Sequence, residues 1–196
     1  MVRYYCIDFE TNGFPPKGAA MCHELPLPFS SMPIQVSVDI VDSSGVVEHA
    51  YDAIILGATR LCPWVVQNVP IPMSAVLNGK PLAKVVDELD ALLHPEDVIV
   101  AHNVAFDMDL ALARTCERMD IASTTLRRLL AAPRFCTMRC SYSRSVFGRQ
   151  PKLKDLCEHF GVELTQAHDA QGDSAALAQC VSCAIHRGVM LEGVLR

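Results

Sequence analysis

A stretch with strict alternation of apolar and polar side chains constrains the fold of this chain most. Residues 34–41 read Ile-Gln-Val-Ser-Val-Asp-Ile-Val, and such alternation is typical of a strand with one buried face. A turn signal follows at residues 43–45, and residues 46–55 are again strand-like. The two segments therefore predict an antiparallel hairpin.

The segments on either side of this hairpin predict a mixed α/β domain. The β-prone residues 3–10 precede it, and the proline-rich residues 14–33 predict a long loop. After the hairpin, helical periodicity alternates with short apolar stretches. We therefore expect a mixed central β-sheet, its first three strands antiparallel, flanked by helices. Because no repeat or linker is visible, we expect residues 1–196 to form a single domain. The later predicted elements are helices over 81–94, 104–118, 124–132, 153–160 and 169–187, and strands over 98–101 and 134–138.

The composition excludes a disordered or fibrous chain, because 51% of the residues are hydrophobic and 20% are charged. The formal net charge of −5 argues mildly against a nucleic-acid partner, since such proteins are usually basic. The distribution of charge favours one, because residues 114–154 carry ten Lys and Arg side chains against two acidic ones. Basic side chains bind phosphates without reading sequence, and the alternative is a solvated face or a protein interface. The candidates for contacts with a nucleic-acid backbone are Arg144, Arg149, Lys152 and Lys154.

The nine cysteines, an odd number, lie mostly in apolar stretches, where a free thiol behaves as a small hydrophobic group. The chain opens Met-Val-Arg and reaches Asp8 and Glu10 at once, which does not resemble a secretory signal. No uncharged stretch is apolar enough to predict a membrane span. We therefore expect an intracellular protein, cytoplasmic or nuclear, without membrane association.

Two carboxylates lie two residues apart on the first predicted strand. Asp8 and Glu10 therefore point to one face, where they repel each other unless a proton or a cation lies between them. A hard divalent cation is the natural partner of such a pair. The spacing alone is common by chance, so the argument depends on its position at the end of an apolar strand.

Further acids lie where predicted elements begin. Asp107 is in the first turns of the helix after strand 98–101, where open α/β sheets gather ligands, although a solvated helix acid is the alternative. Asp173 begins the last helix close to His168, and histidine is the commonest general base. His102 and Asp107 have the same spacing, so the spacing does not show which histidine is the general base. The position of His168 at a loop–helix junction mildly favours it. Four acids from three segments are consistent with a two-metal site for phosphoryl displacement.

Three segments together resemble, in order and approximate separation, the motifs of the DEDD exonucleases, histidine subtype, which include ribonuclease T, oligoribonuclease, polymerase proofreading subunits and TREX-type DNA exonucleases. The segments are Asp8-Phe9-Glu10-Thr11, His102-Asn103-x-x-Phe106-Asp107 and His168-x-Ala170-x-x-Asp173. The resemblance implies a ribonuclease H-like fold and 3′-to-5′ hydrolysis of single-stranded DNA or RNA ends to nucleoside monophosphates. It also implies two divalent ions, Mg²⁺ or Mn²⁺, and allows for a homodimer.

The resemblance further implies a role for each matching residue. Asp8, Glu10 and Asp173 would bind one metal ion. Asp8 would also touch the second ion, with Asp107 nearby, and His168 would accept the proton of the attacking water. The candidates for contact with the terminal nucleotide are Thr11, His102, Asn103 and Phe106. Two alternatives stay open: a catalytically silent nucleic-acid-binding module on the same fold, and a phosphoesterase acting on small nucleotides.

Overall fold

The computed structural model describes residues 2–13 and 31–189, and its centre is one mixed β-sheet. The six strands are β1 (Arg3–Thr11), β2 (Pro33–Asp42), β3 (Val47–Leu56), β4 (Lys80–Pro81), β5 (Val98–Ala101) and β6 (Arg134–Cys136). They lie in the order β4-β3-β2-β1-β5-β6. Neighbours β1, β2 and β3 are antiparallel, whereas β5 runs parallel to β1 and β6 runs parallel to β5. The predicted mixed sheet with three antiparallel opening strands is thereby confirmed.

Helices cover the sheet. They are α1 (Pro63–Asn68), α2 (Met73–Leu77), α3 (Leu82–Leu92), a π-helix (Ala105–Ala113) that continues into α4 (Arg114–Arg118), α5 (Thr124–Ala131), α6 (Ser141–Phe147), α7 (Leu153–Phe160) and α8 (Ala170–Arg187). Among the described residues, no helix is both long and apolar enough to cross a membrane.

Strand β1 is buried on both faces because it lies between two layers of helices. Tyr5, Ile7 and Phe9 pack in one core cluster with side chains of α3, α5 and the π-helix. Tyr4 and Cys6 pack in the other cluster with side chains of α7 and α8. Phe9 is 3% exposed, so its side chain contributes to the core. The alternation of β1 therefore directs Asp8 and Glu10 toward α8.

The structure differs from the sequence prediction mainly in elements whose formation depends on packing rather than on periodicity. The segment after β3, for which no element was predicted, forms α1 and α2, and their Val65 and Val76 pack in a third cluster with Ile34 of β2. The predicted helix over 104–118 begins as a π-helix, and such wide turns are frequent at functional sites. The predicted strand over 134–138 ends at Cys136. Most of the predicted loop over 14–33 lies outside the described residues.

Candidate active site

A cleft of about 180 Å³ lies at the carboxyl ends of β1 and β5. Because these strands are parallel neighbours, the residues that follow them meet at one edge of the sheet. The cleft brings together all five predicted catalytic residues, which are Asp8, Glu10, Asp107, His168 and Asp173. It is also lined by four predicted substrate contacts, which are Thr11, His102, Asn103 and Phe106.

A hydrogen bond ties the second acidic segment to the first. The backbone N–H of Phe9 donates to Oδ1 of Asp107 over 3.1 Å, and the Asp107 side chain is 3% exposed. This bond holds the Asp107 carboxylate beside β1, between the positions of Asp8 and Glu10. The first turns of the π-helix are thereby fixed to the strand that carries the other acids.

The third segment reaches the cleft through a tight turn before α8. Gly172 allows this turn, because a Cβ atom there would lie 2.5 Å from the carbonyl oxygen of Gln166. His168 adopts the left-handed conformation at φ 66°, and its backbone N–H donates to Oδ2 of Asp173 over 3.1 Å. The ligand atoms of Glu10, His168 and Asp173 all lie within 4.8 Å of one another.

Gln35 on β2 fixes the start of α8, a role that its sequence position did not indicate. It lies opposite Glu10 in the β1–β2 register and is 4% exposed. Its Oε1 accepts the backbone N–H of Ala170 over 3.0 Å, so it caps the helix from another element. Its Nε2 donates to Oδ1 of Asp169 over 2.9 Å and to Oδ1 of Asp52 over 3.3 Å. Gln35 thus sets the position of α8, and with it that of Asp173, relative to β1.

The pKa values of the four acids in the cleft are strongly raised. Burial is the largest cause in each case, and neighbouring carboxylates add to it. The pKa of Asp8 is raised well above its ordinary value. The pKa is raised to about 8 at Glu10, about 7 at Asp107 and about 6 at Asp173. A group of carboxylates with strongly raised pKa values is characteristic of a functional site.

The donor set of the cleft fits a hard divalent cation. Carboxylate oxygens are the ligands that Mg²⁺ and Mn²⁺ prefer. A cation between Glu10 and Asp173 would offset the charge of Asp173, which adds to burial in raising the pKa of Glu10. Asp8 and Asp107 line the same cleft and can complete such a site. The part of the chain that the structure describes holds no other group of three or more His, Cys, Asp or Glu side chains suited to a metal ion.

The two candidate histidines, His102 and His168, have different surroundings in the structure. Both ring nitrogens of His102 are engaged, Nδ1 with Oγ1 of Thr137 at 2.9 Å and Nε2 with the carbonyl of Pro151 at 3.0 Å. Burial lowers the pKa of His102, so its imidazole is held neutral as a wall of the cleft. His168 is exposed, and its ligand nitrogen lies within 4.8 Å of carboxylate oxygens of Glu10 and Asp173.

The other predicted substrate contacts divide into two sets. Oδ1 of the cleft residue Asn103 is buried without a hydrogen-bond partner among the described residues, which leaves an acceptor for a ligand. The four basic candidates do not line the cleft. Arg144 donates to the carbonyl of Arg139, Arg149 pairs with Asp155 at 2.8 Å, Lys154 pairs with Glu158 at 3.8 Å, and Lys152 precedes α7.

Trp64, which belongs to none of the sequence motifs, lies at the cleft. It lines the cleft from α1, is 40% exposed, and meets the ring of His168 edge to face at 4.9 Å between centroids. The signal that could have found it is Pro63 at the first position of α1, since proline there marks a helix start. It is the single tryptophan of the chain.

Comparison with known proteins identifies the family and the fold. The model of the RNase_T exonuclease family matches residues 47–181, more than half of the chain. No protein with curated annotation matches the sequence. A 3′-exonuclease solved for 3′-end specific recognition of a histone mRNA stem-loop is similar in structure, with 16% identity and a TM-score of 0.66 over 95% of this chain and 82% of that one.

Other similar structures are longer proteins. Exonuclease I has 18% identity and a TM-score of 0.71, and the E. coli enzyme in complex with a dA16 oligonucleotide has 17% identity and a TM-score of 0.68. This chain spans 41% of each exonuclease I chain, while 94% and 95% of this chain is covered. At these identities the likeness establishes the fold, which is that of ribonuclease H-like exonucleases. With the family match and the acidic cleft on the same fold, the chain belongs to the RNase_T exonuclease family and is a nuclease.

Proposed function

We propose that this protein is a divalent-metal-dependent 3′-to-5′ exonuclease of the DEDD histidine subtype that releases nucleoside monophosphates from single-stranded DNA or RNA ends. The observation that carries the proposal is one cleft that gathers four carboxylates and an exposed histidine from three separate segments. The proposal extends to the intracellular setting expected from the sequence and to the homodimer that the family resemblance allows.

The four acids provide two neighbouring binding positions for cations. Glu10 and Asp173 lie within 4.8 Å of each other and would hold one ion together with Asp8. Asp8 would share the second ion, with Asp107 beside it through its bond to the β1 backbone. Two bound ions would stabilise the attacking and leaving oxygens of an in-line displacement.

His168 is proposed as the general base. Its ring is exposed at the rim of the cleft, so it can accept a proton from the attacking water and release it to solvent. The backbone bond from residue 168 to Asp173 and the edge-to-face contact between Trp64 and His168 keep the imidazole beside the acids. The exposed face of Trp64 and the ring of Phe106 are suited to stacking with the terminal nucleobase, which is sequence-tolerant.

The first test is a single gel with 5′-labelled DNA and RNA oligomers whose 3′ ends are free or blocked. We expect a ladder that shortens from free 3′ ends in Mg²⁺ or Mn²⁺ and disappears in EDTA. A ladder that persists with blocked 3′ ends would contradict the polarity. Binding without cleavage in either metal would favour the silent module, and cleavage of mononucleotide esters alone would favour the small-nucleotide phosphoesterase.

Removing the His168 imidazole tests whether it acts as a general base or as a metal ligand. We expect His168→Ala to lower kcat by about 10²- to 10⁴-fold while the affinity for Mn²⁺, measured by calorimetry, changes little. The exposed His94 lies outside the cleft, so His94→Ala is the matched control with unchanged kcat. A His168→Ala variant that loses Mn²⁺ affinity would instead assign the imidazole to the metal, since its nitrogen is near Glu10 and Asp173.

A further inference from the structure

A second groove continues from the catalytic cleft along the π-helix. It has a volume of about 360 Å³, and we call it the arginine groove because Arg114 and Arg139 line it. Asn103 and Phe106 line both the cleft and the arginine groove, so the two form one continuous surface. A strand whose last nucleotide occupies the cleft can therefore extend into the groove.

The charge of the arginine groove suits phosphate groups. Its one acid, Asp109, is paired with Arg134, which cancels the carboxylate. Arg139 is exposed, and its guanidinium has no ion pair among residues 2–13 and 31–189. The Arg144 guanidinium donates twice to the carbonyl of Arg139, at 3.2 and 3.1 Å, which fixes the backbone from which the Arg139 side chain extends.

The apolar part of the arginine groove suits bases and sugars. Phe106 and Leu110 are four residues apart on the π-helix and both line the groove. Aromatic rings beside basic side chains are the usual composition of a surface that binds single strands without reading sequence. By contrast, Arg149 and Lys154 pair with acids of α7, and neither lines the cleft or the groove.

We propose that the arginine groove binds the sugar–phosphate backbone of the nucleotides immediately 5′ of the terminal one. Arg139 and Arg114 contact the phosphates, and Phe106 lies between the terminal nucleobase and the next one. This assignment rests on the proposed exonuclease function. It makes the protein an enzyme of polynucleotides, because a mononucleotide ester occupies the cleft and leaves the groove empty.

The experiment compares a single-stranded 12-mer with the p-nitrophenyl ester of thymidine 5′-monophosphate, which has no upstream phosphate. For Arg114→Gln/Arg139→Gln we expect KM for the 12-mer to rise at least tenfold at about 0.1 M salt, with kcat/KM for the ester unchanged. Since each phosphate contact contributes about 0.7 to the salt slope of single-strand binding, we expect that slope to fall by about 1.4. Lys84→Gln/Arg127→Gln removes the same charge from exposed positions of α3 and α5 and is the matched control.

Three outcomes would overturn the assignment. Unchanged KM and salt slope for the 12-mer in the double variant would remove the arginine groove from the substrate path. A larger loss in Arg149→Gln/Lys154→Gln would place the strand across α7 and the loop before it. An equal loss on both substrates, in a double variant that melts like the wild type, would show that the two arginines serve the cleft and not an upstream strand. If the double variant does not fold, the single variants Arg114→Gln and Arg139→Gln give the same comparison. Failure of the wild-type protein to cleave either substrate would instead refute the proposed function.

Discussion

Replacing Asp8 by asparagine is expected to lower kcat on the order of 10³-fold and, in EDTA, to raise the melting temperature. The loss of activity follows because Asp8 is the acid shared between the two proposed cation positions, and its charge would be needed to hold both ions. The gain in stability follows because burial and the charges of Asp107, Asp173 and Glu10 all disfavour an ionised Asp8. A neutral side chain of the same shape removes a cost of about 1 to 3 kcal/mol.

The two parts of this prediction are measured separately. Hydrolysis of a labelled oligomer at saturating Mg²⁺ gives kcat, and thermal unfolding in EDTA gives the change in stability. Glu163→Gln is the control, because Glu163 is exposed and does not line the cleft, and neither quantity should change. An Asp8→Asn variant with near-normal kcat would contradict the two-cation arrangement, and one that melts earlier would contradict the like-charge repulsion.

The elements that position Asp8 and Glu10 were predictable from local patterns. Alternation over residues 34–41 defined β2, and the turn and strand after it defined the antiparallel hairpin that supports β1. Because strand side chains alternate, the two acids had to share a face once β1 was assigned. The order of the sheet and the parallel pairing of β1 with β5 then bring Asp107 to the same edge.

Contacts between distant segments could not be predicted in this way. Trp64 meets His168 across about a hundred residues of sequence, and Gln35 caps α8 from β2, so neither pairing leaves a periodic signal. The short helices α1 and α2 form because Val65 and Val76 fill a pocket against Ile34, which is a matter of packing rather than propensity. The family match begins at residue 47, so the association of Asp8 and Glu10 with the matched region is a result of the fold.

The distribution of basic residues was predictable, but their roles were not. The excess of Lys and Arg over residues 114–154 is plain in the sequence, and proximity to the third motif favoured Arg149 and Lys154 as backbone contacts. In the fold these two side chains face acids on α7, whereas Arg139 and Arg114 line the groove that opens from the cleft. Position along the chain is a poor guide to a charged surface because the folded surface joins the ends of different elements.

The stability of the folded protein is expected to depend strongly on pH. In EDTA, we expect the free energy of unfolding to fall by several kcal/mol as the pH rises from about 5 to about 9. A carboxyl group whose pKa is higher in the folded state keeps its proton there longer, so the folded state binds more protons than the unfolded state. Stability then decreases as the pH rises from the unfolded value near 4 through the folded values of about 6 at Asp173, about 7 at Asp107 and about 8 at Glu10.

Divalent ions should reverse this slope, because they bind the ionised carboxylates and only the folded chain brings those carboxylates together. Saturating Mg²⁺ or Mn²⁺ is therefore expected to raise the melting temperature strongly at pH 8 and little at pH 5. Urea unfolding at a series of pH values, with EDTA or with metal, measures both effects. The double variant Asp8→Asn/Asp173→Asn should flatten the slope in EDTA and lose the response to metal. Stability that increases toward pH 8 in EDTA, or an equal metal response at pH 5 and pH 8, would mean that the four acids are not held as a repelling, cation-binding cluster.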